Sequence, residues 1–179
     1  AVPSPGPGHI PVPPSSSVYT RCIRLTQQNF SDLAGRFPYQ SFTGYNYILI
    51  MYPEDPNYIH VELMKSRSAV EFARAYEQGH TFFADPGFEP SWERLDNETS
   101  ELMTKIIRKL KVHIKYAPPG NHRSNRAERA IQTFINHFIS VLCTTDPDFP
   151  MGAWDNLIDQ AEMTLNLLRG SRINPAISA

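Results

Sequence analysis

Apolar residues in the first third of the chain follow strand-like patterns. The run Tyr47–Tyr52 is continuous, rich in aromatic and β-branched residues, and bounded by Gly44 and Pro53, which is typical of a buried strand. The stretch 58–63 alternates apolar and polar residues, which predicts a strand with one buried face. We predict a strand over 25–32, a second over 45–52 and a third over 58–63, the last two forming a hairpin.

Helical spacing replaces alternation beyond Ser66 and Ser68, either of which can cap a helix. The next predicted elements are a helix with Ala69, Phe72, Ala73, Tyr76 and Phe83 inward, a strand at 91–96, a helix with Leu102, Ile106 and Leu110 inward, and a strand at 112–116. A long amphipathic helix follows, with Ala127, Ala130, Ile131, Phe134, Ile135, Phe138 and Ile139 on its apolar face. The last predicted helix has Trp154, Leu157, Ile158, Ala161, Leu165 and Leu168 inward. This order predicts an α/β fold with a mixed five-stranded sheet flanked by helices.

Composition limits the class of protein. Residues 1–17 hold six of the 16 prolines, so we predict a tail or linker over 1–24 and one domain over 25–179. The longest apolar run is far shorter than the roughly 20 residues of a membrane span, and no signal peptide opens the chain. Two widely separated cysteines build neither a disulfide framework nor a cysteine-based zinc site. We therefore expect an intracellular protein without a membrane partner.

Charge is distributed unevenly along a chain whose net charge is only -1. Residues 105–129 contain eight cations and one acid, a net charge of +7, which leaves -8 for the rest. A phosphate-binding surface produces such an asymmetry, and so does a solvated helix face. Charge alone leaves both interpretations open.

Three carboxylates stand where predicted strands end and a predicted helix begins. Asp32 ends the first strand, Asp96 ends the fourth, and Glu128 lies in the first turns of the long helix. Strand ends that lie side by side deliver their side chains to one crevice. Hard oxygen ligands suit Mg²⁺ or Mn²⁺, and two such ions can promote displacement at a phosphodiester. Taken singly, Asp32 can start a turn, Asp96 can cap a helix and Glu128 can be an ordinary exposed residue.

The sequence around these acids resembles a known family. Residues 31–38, 94–98 and 125–131 are similar to the three acidic motifs of retroviral and long-terminal-repeat retrotransposon integrase catalytic cores, and the predicted elements follow that family's order. The resemblance implies a ribonuclease H-like fold. It also implies a two-metal site of Mg²⁺ or Mn²⁺ held by Asp32, Asp96 and Glu128, 3′-end processing and DNA strand transfer, and self-association. Glu98 departs from the pattern, since many relatives have glycine there, and the interval from Asp96 to Glu128 is slightly short.

The family resemblance implies that the basic segment 105–129 binds DNA. The loop 118–124 enters the helix that carries Glu128 and resembles the mobile loop of integrases. The residues expected to contact DNA, both element ends and target, are Lys105, Lys109, Lys115, His122, Arg123, Arg126 and Arg129. Because cations must hold the DNA beside the acids, we predict that Lys105, Lys109, Arg123 and Arg126 lie on the same side of the domain as the acidic crevice. We expect the nucleus or a cytoplasmic virus-like particle as the location. Two alternatives stay open: an inactive integrase-derived module for DNA binding or oligomerisation, and a ribonuclease H-like nuclease that only hydrolyses.

Overall fold

The computed structural model describes residues 23–95, 101–116 and 126–179. The elements are β1 (Gln28–Leu33), β2 (Tyr47–Pro53), β3 (His60–Met64), α1 (Ala69–Ala84), β4 (Trp92–Leu95), α2 (Glu101–Lys109), β5 (His113–Tyr116), α3 (Arg126–Cys143), a 3-10 helix (Met151–Leu157) and α4 (Ile158–Leu167). The predicted order of strands and helices is confirmed. The predicted tail falls mostly in residues 1–22, outside the described part. No helix in the described ranges is long and apolar enough to cross a membrane.

The five strands form one mixed sheet in the order β3-β2-β1-β4-β5. Antiparallel pairing joins β1 to β2 and β2 to β3, as the predicted hairpin requires. Parallel pairing joins β1 to β4 and β4 to β5. Phe30 in the central strand β1 therefore faces Tyr52 on one side and Arg94 on the other.

The sheet separates two apolar cores because successive side chains of a strand point to opposite faces. On β2, Ile48 and Ile50 pack with α3 and α4, whereas Leu49 and Met51 pack with α1 and α2. The first turn of α1 is capped by Ser68, whose hydroxyl accepts from the Glu71 amide. These two layers fix which helix covers which face of each strand.

Three predicted inward positions are wrong. On α2 the fully buried residues are Met103 and Ile107, while Leu102 is 37% exposed. Apolar residues occupy positions 102, 103, 106, 107 and 110, so their spacing alone does not show which of them face the core. The packing of α2 against α1 determines which side of α2 is buried. Ile139 and Leu168 are also exposed. Ile139 is turned about 100° around the axis of α3 from the buried Phe138, and Leu168 follows the last residue of α4.

The outer edge of β3 is closed by side chains instead of another strand. Asn166 on α4 accepts from the Ile59 amide at 2.9 Å and donates to the Ile59 carbonyl at 2.9 Å. The neighbouring turn of α4 supplies Glu162, whose Oε2 accepts from the Val61 amide at 2.8 Å. An edge strand whose backbone groups are satisfied in this way is protected from pairing with another chain.

His60 on β3 connects this edge to α4 through an ion pair with Glu162. Its Nδ1 lies 2.8 Å from Oε1 of Glu162 and its Nε2 lies 2.9 Å from Oε1 of Glu62, while its ring stacks on Phe82. Burial alone would lower the pKa of His60, but the hydrogen bonds and charges of the two glutamates raise it to about 9. The imidazolium is therefore the form that the folded chain favours.

We predict that Glu162→Gln lowers the free energy of unfolding by about 2–4 kcal/mol, because it removes the partner of a buried cation. Denaturant unfolding at neutral pH measures this loss. The control is Asp159→Asn, an exposed acid on the same helix, which should cost less than about 1 kcal/mol. Equal losses in the two variants would show that the edge contacts do not stabilise the docking of α4.

A second prediction concerns pH. The folded pKa of His60 lies above the ordinary value of 6.5, so the stability it contributes is fully present below pH 6.5 and is lost as the pH rises through 9. The stability gap between wild type and His60→Gln should shrink by about 2–3 kcal/mol over that range. Unfolding curves recorded at several pH values test this, and a constant gap would contradict it.

Candidate active site at the acidic edge of the sheet

Asp32 lies at the end of the central strand, on the face that α3 covers. It pairs across the sheet with Ile50. Ile50, Phe30 and Ala34 all belong to the core shared with α3, and alternation along β1 places Asp32 on their face. Its carboxylate is partly exposed, and its Oδ1 accepts from the Leu33 amide at 2.8 Å. The first predicted acid thus faces the helix that carries the third.

Parallel pairing of β1 with β4 brings the ends of these two strands to one edge of the sheet. The register sets Phe30 opposite Arg94, and β4 ends at Leu95. Asp96, the next residue in the sequence, lies outside the described residues. Its convergence with Asp32 stays a prediction, supported by the direction of the strand that leads to it.

Glu128 occupies the first turn of α3 and is exposed. Ala127 and Ala130 on either side of it are buried against the sheet, so the helix is anchored where Glu128 emerges. The sheet face below this helix is the one that carries Asp32. The structure therefore places Asp32 and Glu128 in the same layer of the fold.

The donor chemistry of these positions fits a hard divalent cation. Carboxylate oxygens are the ligands that Mg²⁺ and Mn²⁺ prefer, and the partial exposure of Asp32 and Glu128 leaves room for the water that Mg²⁺ retains. Within the described ranges, no three His, Cys, Asp or Glu side chains are grouped so that they could hold a metal by themselves. A site of three acids at this edge, with Asp96 as the third, stays a prediction.

A buried carboxylate that we did not predict lies behind this edge. Glu93 on β4 is fully buried on the α1 side of the sheet. Its two oxygens accept from Asn29 Nδ2 at 2.7 Å, from Ser31 Oγ at 2.6 Å and from the Tyr76 hydroxyl at 2.9 Å. The network ties β1, β4 and α1 together directly behind the strand that carries Asp32. Two polar residues at alternate positions, Asn29 and Ser31, share one face of β1, and this was the available sequence signal.

Burial controls the ionisation of this group. Removal from water raises the pKa of Glu93 to about 7, although the hydrogen bonds from Ser31, Asn29 and Tyr76 act in the opposite direction. Burial and the neighbouring Glu93 also raise the pKa of Tyr76. Glu93 has no access to solvent and serves to hold the two parallel strands in register.

The cations predicted to contact DNA are divided between the two faces of the sheet. Lys105 and Lys109 are exposed on α2, on the side opposite α3, and Lys109 Nζ lies 3.5 Å from Oε1 of Glu77 on α1. We predicted that these two lysines share one side of the domain with Arg126, and the structure places them on opposite faces of the sheet instead. The described cations of this segment lie on α2, between α2 and β5, on β5 and on α3, so they do not form one surface.

The remaining residues predicted to contact DNA lie in different local environments. Lys115 on β5 lies over the ring of Trp92, 3.9 Å from its centroid. Arg126 forms an ion pair with Glu54 next to the end of β2, and Arg129 is exposed one turn further along α3. His122 and Arg123 lie outside the described residues. Trp154 is fully buried and its indole N–H donates to the Tyr39 carbonyl, which confirms its packing role.

Comparison with known proteins identifies the fold. Neither a protein-family model nor a curated protein matches the sequence. Among solved structures, the catalytic core domain of HTLV-2 integrase in complex with magnesium, in its dimeric form, has a TM-score of 0.63 at 17% identity, over 87% of this chain and 98% of that chain. The catalytic core domain of BIV integrase has a TM-score of 0.57 at 13% identity, over 81% and 86%.

A longer chain also matches. It comes from the cryo-EM structure of the simian T-cell lymphotropic virus intasome in complex with PP2A regulatory subunit B56 gamma, with a TM-score of 0.66 at 16% identity over 83% of this chain. The present chain covers 52% of that chain, so it spans about half of its length. The protein has the ribonuclease H-like fold of retroviral integrase catalytic cores, as its acidic motifs indicated.

The buried network leads to a prediction about pH. The folded pKa of Glu93 lies above its ordinary value of 4.5, so the stability contributed by its protonated form is present below pH 4.5 and is lost as the pH rises through 7. The stability of wild type relative to Glu93→Gln, which cannot ionise, should therefore fall by about 1–3 kcal/mol across this range. The exposed Glu89→Gln should leave the wild-type pH profile unchanged. Parallel profiles for wild type and Glu93→Gln would rule out a buried titrating carboxyl.

Proposed function

We propose that the protein is a metal-dependent polynucleotidyl transferase of the integrase type, which processes 3′ ends and transfers DNA strands. The observation that supports this most directly is the position of Asp32. It stands at the end of the central strand, beside the parallel strand that leads to Asp96 and beneath the helix that carries Glu128. The fold is that of integrase catalytic cores, one of which was solved with magnesium.

In this proposal the three carboxylates hold two divalent ions, Mg²⁺ or Mn²⁺. When bound, these ions stabilise the attacking and leaving oxygens of the phosphodiester. The protein contributes the positions of the ligands. β1 fixes Asp32, and the buried alanines of α3 anchor the helix turn from which Glu128 projects. Asp96 follows the last residue of β4 in the sequence. Cations of the basic segment 105–129 contact the DNA backbone, since a site with three carboxylates repels a polyanion.

The biological setting follows from the same proposal. The substrates are the DNA ends of a retrotransposon-like element and a target DNA, in the nucleus or in a cytoplasmic virus-like particle. Self-association is part of the proposal, because neighbours with this fold include an intasome and the dimeric form of an integrase core.

Two experiments separate this function from the alternatives. The first experiment measures thermal stability during a magnesium titration of wild type and of Asp96→Asn. If the protein is a metal-binding enzyme, magnesium should stabilise wild type but not the variant. If it is an inactive module, the two proteins should not differ. Product analysis divides a transferase from a nuclease that only hydrolyses. A transferase joins a labelled oligonucleotide duplex to plasmid DNA, whereas a nuclease releases cut strands without joining them.

We predict that Asp32→Asn and Glu128→Gln each lower manganese-dependent nicking of supercoiled plasmid by at least about a hundredfold, because each removes an anionic metal ligand. Both variants should bind DNA without metal at least as tightly as wild type. Asp159→Asn on α4, which packs at the β3 end of the sheet, should retain full activity. Full nicking and joining activity in Glu128→Gln would end its assignment as a ligand.

A further inference from the structure

A pocket of about 260 Å³ opens on the side of α3 that faces the end of the chain. Its lining residues, which we call the arginine pocket, are Tyr52, Asn57, Arg126, Arg129, Ala130, Thr133, Arg169 and Arg172. Four of them are arginines, contributed by α3 and by the segment after α4. No acidic residue is among the described residues that line it. Neither Arg169 nor Arg172 was a candidate in the sequence, because the spacing Arg-Gly-Ser-Arg carries no motif by itself.

Tyr52 and Asn57 form the fixed base of the pocket. The Tyr52 hydroxyl donates to Asn57 Oδ1 at 2.7 Å. Arg169 donates from Nε to the Asn57 carbonyl at 2.9 Å and from Nη2 to Asn57 Oδ1 at 2.7 Å. The guanidinium carbons of Arg169 and Arg172 both lie 5.9 Å from the centroid of the Tyr52 ring. Arg169 is thus pre-positioned by protein contacts, which reduces the entropy cost of binding an anion.

The positive charge of the pocket exceeds what the protein neutralises. Glu54 contacts Arg126, and its Oε1 lies 3.1 Å from Nη1 of Arg172. One carboxylate therefore serves two of the four guanidinium groups. Burial, together with the nearby Arg172, lowers the pKa of Arg169. Clustering like charges costs free energy that an anionic ligand would recover.

The arginine pocket and the acidic edge lie on different sides of α3. Pocket residues Arg126, Arg129 and Thr133 recur at helical spacing on one side of the helix. Glu128 lies roughly 100–160° around the helix axis from each of them, since successive residues are about 100° apart. The pocket is therefore a separate site, and its cations do not surround the carboxylate of Glu128.

We infer that the arginine pocket binds backbone phosphates of nucleic acid at a second position, away from the acidic edge. Guanidinium groups favour phosphate because their planar donors match its oxygens in pairs. Arg129 and Arg172 are exposed, so a phosphate can reach them while it remains part of a polymer. The inference rests on the proposed function, because it supplies an additional contact for the DNA that the acidic edge would process.

The test uses the double variant Arg129→Gln with Arg172→Gln, both exposed positions at which a polar amide is tolerated. The control, Arg67→Gln with Arg108→Gln, removes the same charge from exposed positions on the α1 and α2 side. Binding of a fluorescent duplex oligonucleotide is measured in EDTA over a range of salt concentrations. The pocket variant should bind roughly tenfold more weakly, and its salt dependence should flatten by about 0.9 per lost phosphate contact. The control should change affinity less than about twofold.

Each outcome separates this inference from the proposed function. Equal affinities for the pocket variant and the charge control would overturn the pocket, whether or not the protein cleaves DNA. Stabilisation of wild type by pyrophosphate, with unchanged DNA affinity in the variant, would also overturn it in favour of a small polyphosphate ligand. Weakened DNA binding in the pocket variant, with full cleavage by Asp32→Asn, would support the pocket and reject the proposed function.

Discussion

The parallel contact between β1 and β4 determines where every other part of the acidic edge can lie. These strands come from distant parts of the sequence, and their pairing is held by the fully buried side chain of Glu93, which accepts three hydrogen bonds. A buried acid with all its partners in place tolerates little displacement, because a shift of one strand would leave donors and acceptors unpaired. Asp32 lies on the opposite face of the same strand, so the register fixed behind the sheet also fixes the position of the candidate ligand in front.

The long helix α3 connects two kinds of chemistry through its periodicity. Its buried stripe sits on the sheet, one flank presents Glu128, and the other presents the arginines of the pocket. Both flanks are rigidly related because a single packed helix carries them. A nucleic acid bound to the arginines would therefore be held at a defined offset from the acidic edge.

Much of the architecture was predictable because strand and helix periodicities are strong local signals. The run Tyr47–Tyr52 and the spacing on α3 gave the correct elements, and the acidic motifs gave the correct fold. The inward face of α2 was not predictable, since five apolar residues in nine allowed several orientations. Arg169 escaped notice because its contacts with Asn57 span 112 positions in sequence. The burial of Glu93 was not predicted, because its partners Asn29 and Ser31 lie 64 and 62 positions away in the sequence.

The side-chain closure of β3 has a consequence for how this sheet can be extended. At that border Asn166 and Glu162 already satisfy the backbone of Ile59 and Val61, so the sheet is sealed there by its own helix. In the described part of the chain, the opposite border is β5, whose residues are largely exposed. Among the strands that the structure describes, a strand from a neighbouring polypeptide, or one grafted by design, would therefore join more readily at β5 than at β3.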